Sequence, residues 1–143
     1  MKTKIFRILG LLPIFVMAMT FTSCEEVYLD VDMDGSSERR YKTEYLCSRV
    51  WVDEWEDEKG NFYRQELRFW TNFYGEDYLY TEDRWGYATE STYKFDWDWI
   101  NSSNTKIRMT YGPGDYSYME RITMGDNRLS CWLDGQSVYF VGR

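Results

Sequence analysis

Residues 62–70 read FYRQELRFW. Tyr63, Gln65, Leu67 and Phe69 fall on one side of an extended chain, and Arg64, Glu66 and Arg68 on the other. Successive side chains of a strand point to opposite faces. The stretch therefore has one largely apolar face backed by a charged one, which is a half-buried β-strand; a helix would repeat its apolar residues every three to four positions. Upstream, "EYLCSRVWVDEW" from Glu44 is a second such run, closed by the turn "EDEKGN". Downstream, "NFYGED" leads to "YLYTEDRW", and Gly86 leads to "YATESTYKFDWDWI". "NSSN", "GPGD", "GDN" and "DGQ" then separate "TKIRMTY", "YSYMERITM", "RLSCWL" and "SVYFVG". Turn residues at such regular intervals punctuate an all-β chain. The sequence predicts an all-β domain: an up-and-down antiparallel meander of about eight strands closing into a small barrel. An eight-stranded β-sandwich is the alternative arrangement of the same strands.

Composition narrows the function. Aromatic residues make up 20% of the 143 residues and the net charge is −7. An acidic chain lacks the clustered cations that phosphate contacts need, so nucleic acid is not an expected partner. The chain contains no histidine. That removes His-based triads, imidazole general bases and most zinc sites. No Gly-rich phosphate loop or Ser-based nucleophile elbow is present. The expected role is non-enzymatic.

The N-terminus carries an export signal. Lys2, Lys4 and Arg7 precede the apolar run "ILGLLPIFVMAMTF" from Ile8 to Phe21, interrupted by Pro13. A basic start and an apolar run too short to span a bilayer define a secretory signal. The residues that follow, Phe21-Thr22-Ser23-Cys24, resemble the lipobox of bacterial lipoproteins. The resemblance implies cleavage after Ser23, lipidation of Cys24 and acylation of the new N-terminus. More than one acyl chain meets the condition for stable anchoring. Glu25-Glu26 resembles a surface-export signal of Gram-negative bacteria, implying an outer-membrane, cell-surface location. Cleavage removes three cations and no acids, leaving the mature chain at −10. Residues 1–23 are thus expected as a signal peptide, 24–43 as an acidic lipidated tether and 44–143 as the barrel. Trp51 near the end of the first run, the meander and the terminal Arg143 are similar to the lipocalin-like domains of small bacterial lipoproteins.

Several groups of residues are candidates for chemistry. With Cys24 assigned to lipid, Cys47 and Cys131 remain as a pair, either a disulfide or two buried thiols. Asp30, Asp32, Asp34 and Gly35 match the opening of a calcium loop, where alternate oxygens wrap a hard cation. The twelfth position, which should be a bidentate acid, is Tyr41; a solvated acidic tether is the other reading, and no cofactor is otherwise expected. "TYKFDWDWI" sets Tyr93, Phe95, Trp97 and Trp99 opposite Lys94, Asp96 and Asp98, a face that either fills a barrel core or lines a ligand cavity. Asp96 and Asp98 are read as hydrating the solvent face and not as a glycosidase pair. Asp53 and Glu120 each share a face with bulky residues and need partners if that face turns inward; Arg49 is a cation within reach of the first. Aromatics crowd between Phe69 and Tyr87, with Trp70 and Trp85 at strand ends where an exposed ring stacks on a ligand. Trp70, Trp85, Trp97 and Trp99 are the candidate ligand-binding residues. The expectation is a lipid-anchored binding module for a small apolar or glycan ligand or a partner protein; a purely structural accessory lipoprotein is the alternative.

Overall fold

A computed structural model of the chain describes residues 35–143. The expected signal peptide, Cys24, the first part of the tether and the Asp30–Asp32–Asp34 calcium reading lie outside the described residues. The described chain is one helix, α1 (Gly35–Cys47), followed by eight strands: β1 (Val50–Glu56), β2 (Phe62–Phe69), β3 (Tyr74–Glu82), β4 (Ala88–Trp99), β5 (Ile107–Gly112), β6 (Asp115–Gly125), β7 (Arg128–Leu133) and β8 (Gln136–Gly142). Each strand pairs antiparallel with the next, and β8 returns to β1, so the sheet is a closed up-and-down barrel and not a sandwich.

Helix α1 corrects the reading of residues 35–43 as tether and of residues 44–47 as strand. Its sequence, GSSERRYKTEYLC, has no lasting apolar period, and Leu46 is its one buried residue. The helix is held by charge and by the barrel. Glu38–Lys42 (2.7 Å) and Arg40–Glu44 (2.9 Å) are i,i+4 ion pairs. Arg39 reaches Asp98 at 3.1 Å, and Lys42 Nζ donates to the Ser103 carbonyl at 2.9 Å. The indole N–H of Trp51 donates to the Leu46 carbonyl (2.9 Å), and that of Trp99 to Thr43 Oγ1 (3.0 Å). The helix thereby seals one end of the barrel.

The interior is packed with rings. Phe69, Phe95 and Trp97 meet edge to face at 5.5 Å, and Trp99 lies 6.2 Å from Trp97. An eight-stranded barrel is just wide enough for side chains to fill, and here rings from β2 and β4 meet on the inner side of β3. Where Phe95 crosses β3 the chain carries Gly75; a Cβ there would lie 2.2 Å from the Phe95 ring and 2.9 Å from the Arg68 carbonyl. Only glycine fits that crossing.

Three turns share one geometry. In Asp57–Asn61 and Asp83–Tyr87 the first N–H donates to the fifth carbonyl and the fourth N–H to the first carbonyl, with Gly60 (φ 77°) and Gly86 (φ 86°) in the left-handed region. Asp57 also accepts from the N–H groups of Lys59 and Asn61, from the Asn61 amide and from Tyr63 OH. These bonds, the Asn61 backbone first, lower its carboxyl to about 2. The third turn, Trp70–Tyr74, puts Phe73 (φ 64°) where the others use glycine. The strain is offset by the Phe73 ring on Trp97 (5.1 Å) and by its carbonyl, which accepts from Trp97 N–H at 2.8 Å.

The barrel is closed along short seams. β1 meets β8 at Trp51↔Gly142 and Val52↔Val141, with Val50 and Arg143 exchanging both backbone bonds beside them, and β4 meets β5 from Asp96↔Thr110 to Trp99↔Ile107, extended by Ile100 N–H to the Lys106 carbonyl. Beyond those pairs, at the end away from α1, strands β1–β4 continue together as a projecting four-stranded sheet. Across the resulting mouth the Asp77 carboxylate of β3 accepts from Gln65 Nε2 (2.9 Å) and from Tyr111 OH of β5 (3.1 Å), latching the two halves. Burial first, and then the Asp77 charge, push the Tyr111 phenol well above its usual pKa.

Asp77→Ala removes an acceptor from the Gln65 amide and from the buried Tyr111 hydroxyl, and we expect it to lower unfolding free energy by about 2–4 kcal/mol in urea titrations. A raised phenol pKa stabilises the fold up to the unfolded-state value of about 10. Above it the unfolded chain ionises first, so stability falls as pH rises further. Urea midpoints measured between pH 8 and 11 should therefore decline, and less steeply in Tyr111→Phe.

Candidate functional site

The projecting sheet carries a polar and aromatic surface fixed by hydrogen bonds and ion pairs. Its outer face is a grid set by strand register. Glu56, Phe62, Glu82 and Ala88 form one row across β1–β4; Glu54, Arg64, Tyr80 and Glu90 the next; Val52, Glu66, Tyr78 and Thr92 the third. A groove of about 220 Å³ runs over this grid, lined by Phe62, Arg64, Glu66, Tyr78 and Tyr80. The side chains are held in place. Arg64 is paired with Glu66 (2.6 Å) and Glu54 (3.3 Å), and Glu54 also meets Arg143 at 3.6 Å. Tyr78 OH donates to Glu90 at 2.8 Å, and Tyr80 OH to Glu82 at 2.5 Å. Those hydrogen bonds, ahead of every other influence, raise both phenol pKa values and keep the hydroxyls protonated. The Phe62 and Tyr80 rings meet edge-on at 6.2 Å.

The three rows present five carboxylates (Glu54, Glu56, Glu66, Glu82, Glu90) around one cation, Arg64. This local excess follows the whole chain: residues 50–99 contain thirteen acids and five cations, residues 100–143 four acids and five cations. Carboxylate oxygens accept hydrogen bonds from hydroxyl or amino groups, and the phenyl and phenol faces take C–H or cation contacts.

A second groove, of about 330 Å³, lies between α1 and the strained turn, lined by residues that include Arg39, Thr43, Thr71 and Phe73. Its two arginines already have carboxylate partners, Asp98 for Arg39 and Glu44 for Arg40, and it presents one ring.

The residues singled out in the sequence separate into two sets. Trp97 and Trp99 are 2% and 3% exposed and belong to the core; their indole N–H groups are spent on the Trp70 and Tyr74 carbonyls and on Thr43. They do not line a cavity. Trp70 and Trp85 are 36% and 68% exposed at turns, but the groove does not include them. Trp85 lies under the Arg84 guanidinium at 4.2 Å. Asp53 lies on the inner face opposite Gln65, while Arg49 is at the sealed end with Tyr45 and Asn127. Glu120 is on the outer face, paired with Lys106. A bulge at Arg121 (φ 53°) slips the register, so Ile122 turns inward although Glu120 does not. Asp98 is exposed on Arg39, and no group of three or more Cys, Asp or Glu among the described residues is arranged to hold a metal ion. Of the groove residues, Tyr78 and Tyr80 belong to the aromatic stretch between Phe69 and Tyr87 that the sequence marks for recognition, whereas Phe62, Arg64 and Glu66 fall outside it; the period-2 spacing of β2 was the available signal for those three.

Cys47 and Cys131 are both thiols, with no disulfide between them. Cys131 is buried in the barrel core on β7, and Cys47 packs at the edge of the core from α1. Burial raises the Cys47 thiol to about 11. No known protein family, curated protein or solved structure matches the chain.

A thiol that is protonated and covered reacts slowly. Alkylation at pH 8 without reductant, followed by peptide mapping, should leave Cys47 and Cys131 largely unmodified in the native protein and label both after unfolding.

Proposed function

We propose that this protein is a non-enzymatic, lipid-anchored binding module that holds a neutral or amino-bearing glycan on the outer face of its projecting sheet. The observation that carries the reading is the groove itself: Tyr78, Tyr80 and Phe62 beside Arg64 and Glu66, each polar group fixed by a partner. Rings set beside oriented carboxylates match a sugar, whose hydroxyls donate while its C–H face stacks. The acid excess disfavours anionic glycans. A ligand enclosed within the barrel has less support, because the interior is filled by aromatic and aliphatic side chains and both grooves lie on the outside.

The anchor reading rests on Phe21–Cys24 and the apolar run before it. A mature chain of net charge −10 is repelled by an anionic bilayer surface, so acyl chains on Cys24, and not the domain, would hold it at the outer membrane. The absence of histidine supports the non-enzymatic assignment.

On a glycan array the protein should bind neutral or amino-sugar probes and not uronic-acid or sialylated ones. Tyr80→Ala and Arg64→Ala should each weaken the best probe by about tenfold, whereas Trp132→Ala on the opposite face should not. Binding that ignores all three substitutions, or no binding to any probe, would overturn the reading. Mass spectrometry of the protein from its native host should find Cys24 as the acylated N-terminal residue; an intact Met1 defeats the anchor.

A further inference from the structure

Strand β4 has a long open edge. β3 pairs with it from Ala88 to Asp96, but β5 pairs with it only from Asp96 to Trp99. The phase of its backbone bonds follows from both ends. Asp83 N–H donates to Tyr87 O, and Trp97 N–H donates to Phe73 O, so odd-numbered residues of β4 turn their backbone groups toward β3. Ile100 N–H donates to Lys106 O on the other side, so even-numbered residues face away from β3. Ala88, Glu90, Thr92 and Lys94 therefore direct their N–H and C=O groups out of the sheet, where no described strand pairs with them. Every residue from Ala88 to Lys94 is exposed. The segment holds no proline and its register with β3 has no bulge, two devices that commonly blunt an edge.

The charges on this edge select a second copy of the chain. Two β4 strands meeting antiparallel about a two-fold axis must pair even residues with even residues. Centred on Glu90 or on Lys94, the pairing opposes like charges at the axis. Centred on Ser91, it leaves Glu90 opposite Thr92; centred on Tyr93, it sets Glu90 against Asp96, which β5 already occupies. Centred on Thr92, it places Glu90 of each copy directly opposite Lys94 of the other, on the same outer face, twice. Such directly opposed pairs of opposite charge stabilise antiparallel strands, and like pairs destabilise them.

We propose that the protein forms a two-fold homodimer through residues Glu90–Lys94 of β4, with Thr92 on the axis. The pairs Glu90:Lys94, Thr92:Thr92 and Lys94:Glu90 each exchange both backbone bonds, joining the two projecting sheets into one eight-stranded intermolecular sheet. The interface is small, so the dimer is weak in dilute solution and is favoured where copies are concentrated. The proposal is independent of what the groove binds.

Sedimentation of the full chain in a detergent matched to the buffer density tests it. A monomer–dimer equilibrium with a dissociation constant in the micromolar range, on the order of 1–100 µM, is expected. Glu90→Lys and Lys94→Glu should each weaken the dimer at least tenfold, and the double exchange should restore it, because the charges again oppose their complements. Thr92→Pro should abolish the dimer with the circular dichroism and melting temperature retained, since the Thr92 N–H is not part of the β3 ladder. If that variant misfolds, the charge-exchange series at exposed positions still decides. A monomer at all concentrations up to about 200 µM, a dimer indifferent to either single exchange, or a double exchange that fails to restore association would each overturn the proposal.

Discussion

Every buried indole in this barrel must find an acceptor for its N–H, because an unpaired donor in a dry interior costs free energy comparable to a lost hydrogen bond. The three fully buried tryptophans solve this at one end of the barrel. Trp97 donates to the Trp70 and Tyr74 carbonyls in the turn after β2, Trp51 to the last turn of α1 and Trp99 to Thr43 on the same helix. The helix is therefore part of the barrel's polar accounting. A segment with a single buried residue and no apolar stripe is helical here because two indoles, Asp98 and the Ser103 carbonyl each require something it supplies. The strained Phe73 belongs to the same solution: its carbonyl accepts from the Trp97 backbone and its ring covers the Trp97 indole.

Sealing one end leaves the other free to part. The two seams of the barrel are only a few residue pairs long, and β1–β4 outrun the rest of the sheet beyond them. Once past the seams, the inner face of these strands has no opposite wall, and its residues change from the buried core to Gln65, Asp77 and the stacked Trp55–Tyr63 pair (5.3 Å). The Asp77–Tyr111 bond is what ties that wall back to β5. The groove on the outer face and the open edge of β4 are both consequences of this overhang. A barrel with full-length seams would have paired Ala88–Lys94 with β5 and left no edge.

Much of this was legible in the chain. The alternation of FYRQELRFW gives β2 its faces as observed, and TKIRMTY gives β5 its inward Ile107 and Met109. The Asp-x-x-Gly pattern marks two of the turns, since the carboxylate caps the turn N–H groups and glycine takes the left-handed position. Other features were not legible. Phe73 occupies a glycine position for a tertiary reason. The bulge at Arg121 turns Ile122 inward two residues after an outward Glu120, and no local pattern announces a slip of one residue. The helix was hidden because ion pairs and long-range bonds stabilise it and apolar spacing does not. The groove went unread because each of its strands shows only an ordinary solvent face; the site exists when register sets Arg64 beside Tyr80 and Glu66 beside Tyr78.

By itself the sequence determined the strand faces, most of the turns, the eight-stranded meander and the absence of imidazole chemistry, because these depend on side chains a few positions apart along one strand or turn. Tertiary structure alone decided which tryptophans are core and which are exposed, where the barrel is sealed and where it opens, and which carboxylates surround Arg64. Those outcomes depend on strand register, seam length and the acceptors available to buried donors, and each brings together residues far apart in the chain.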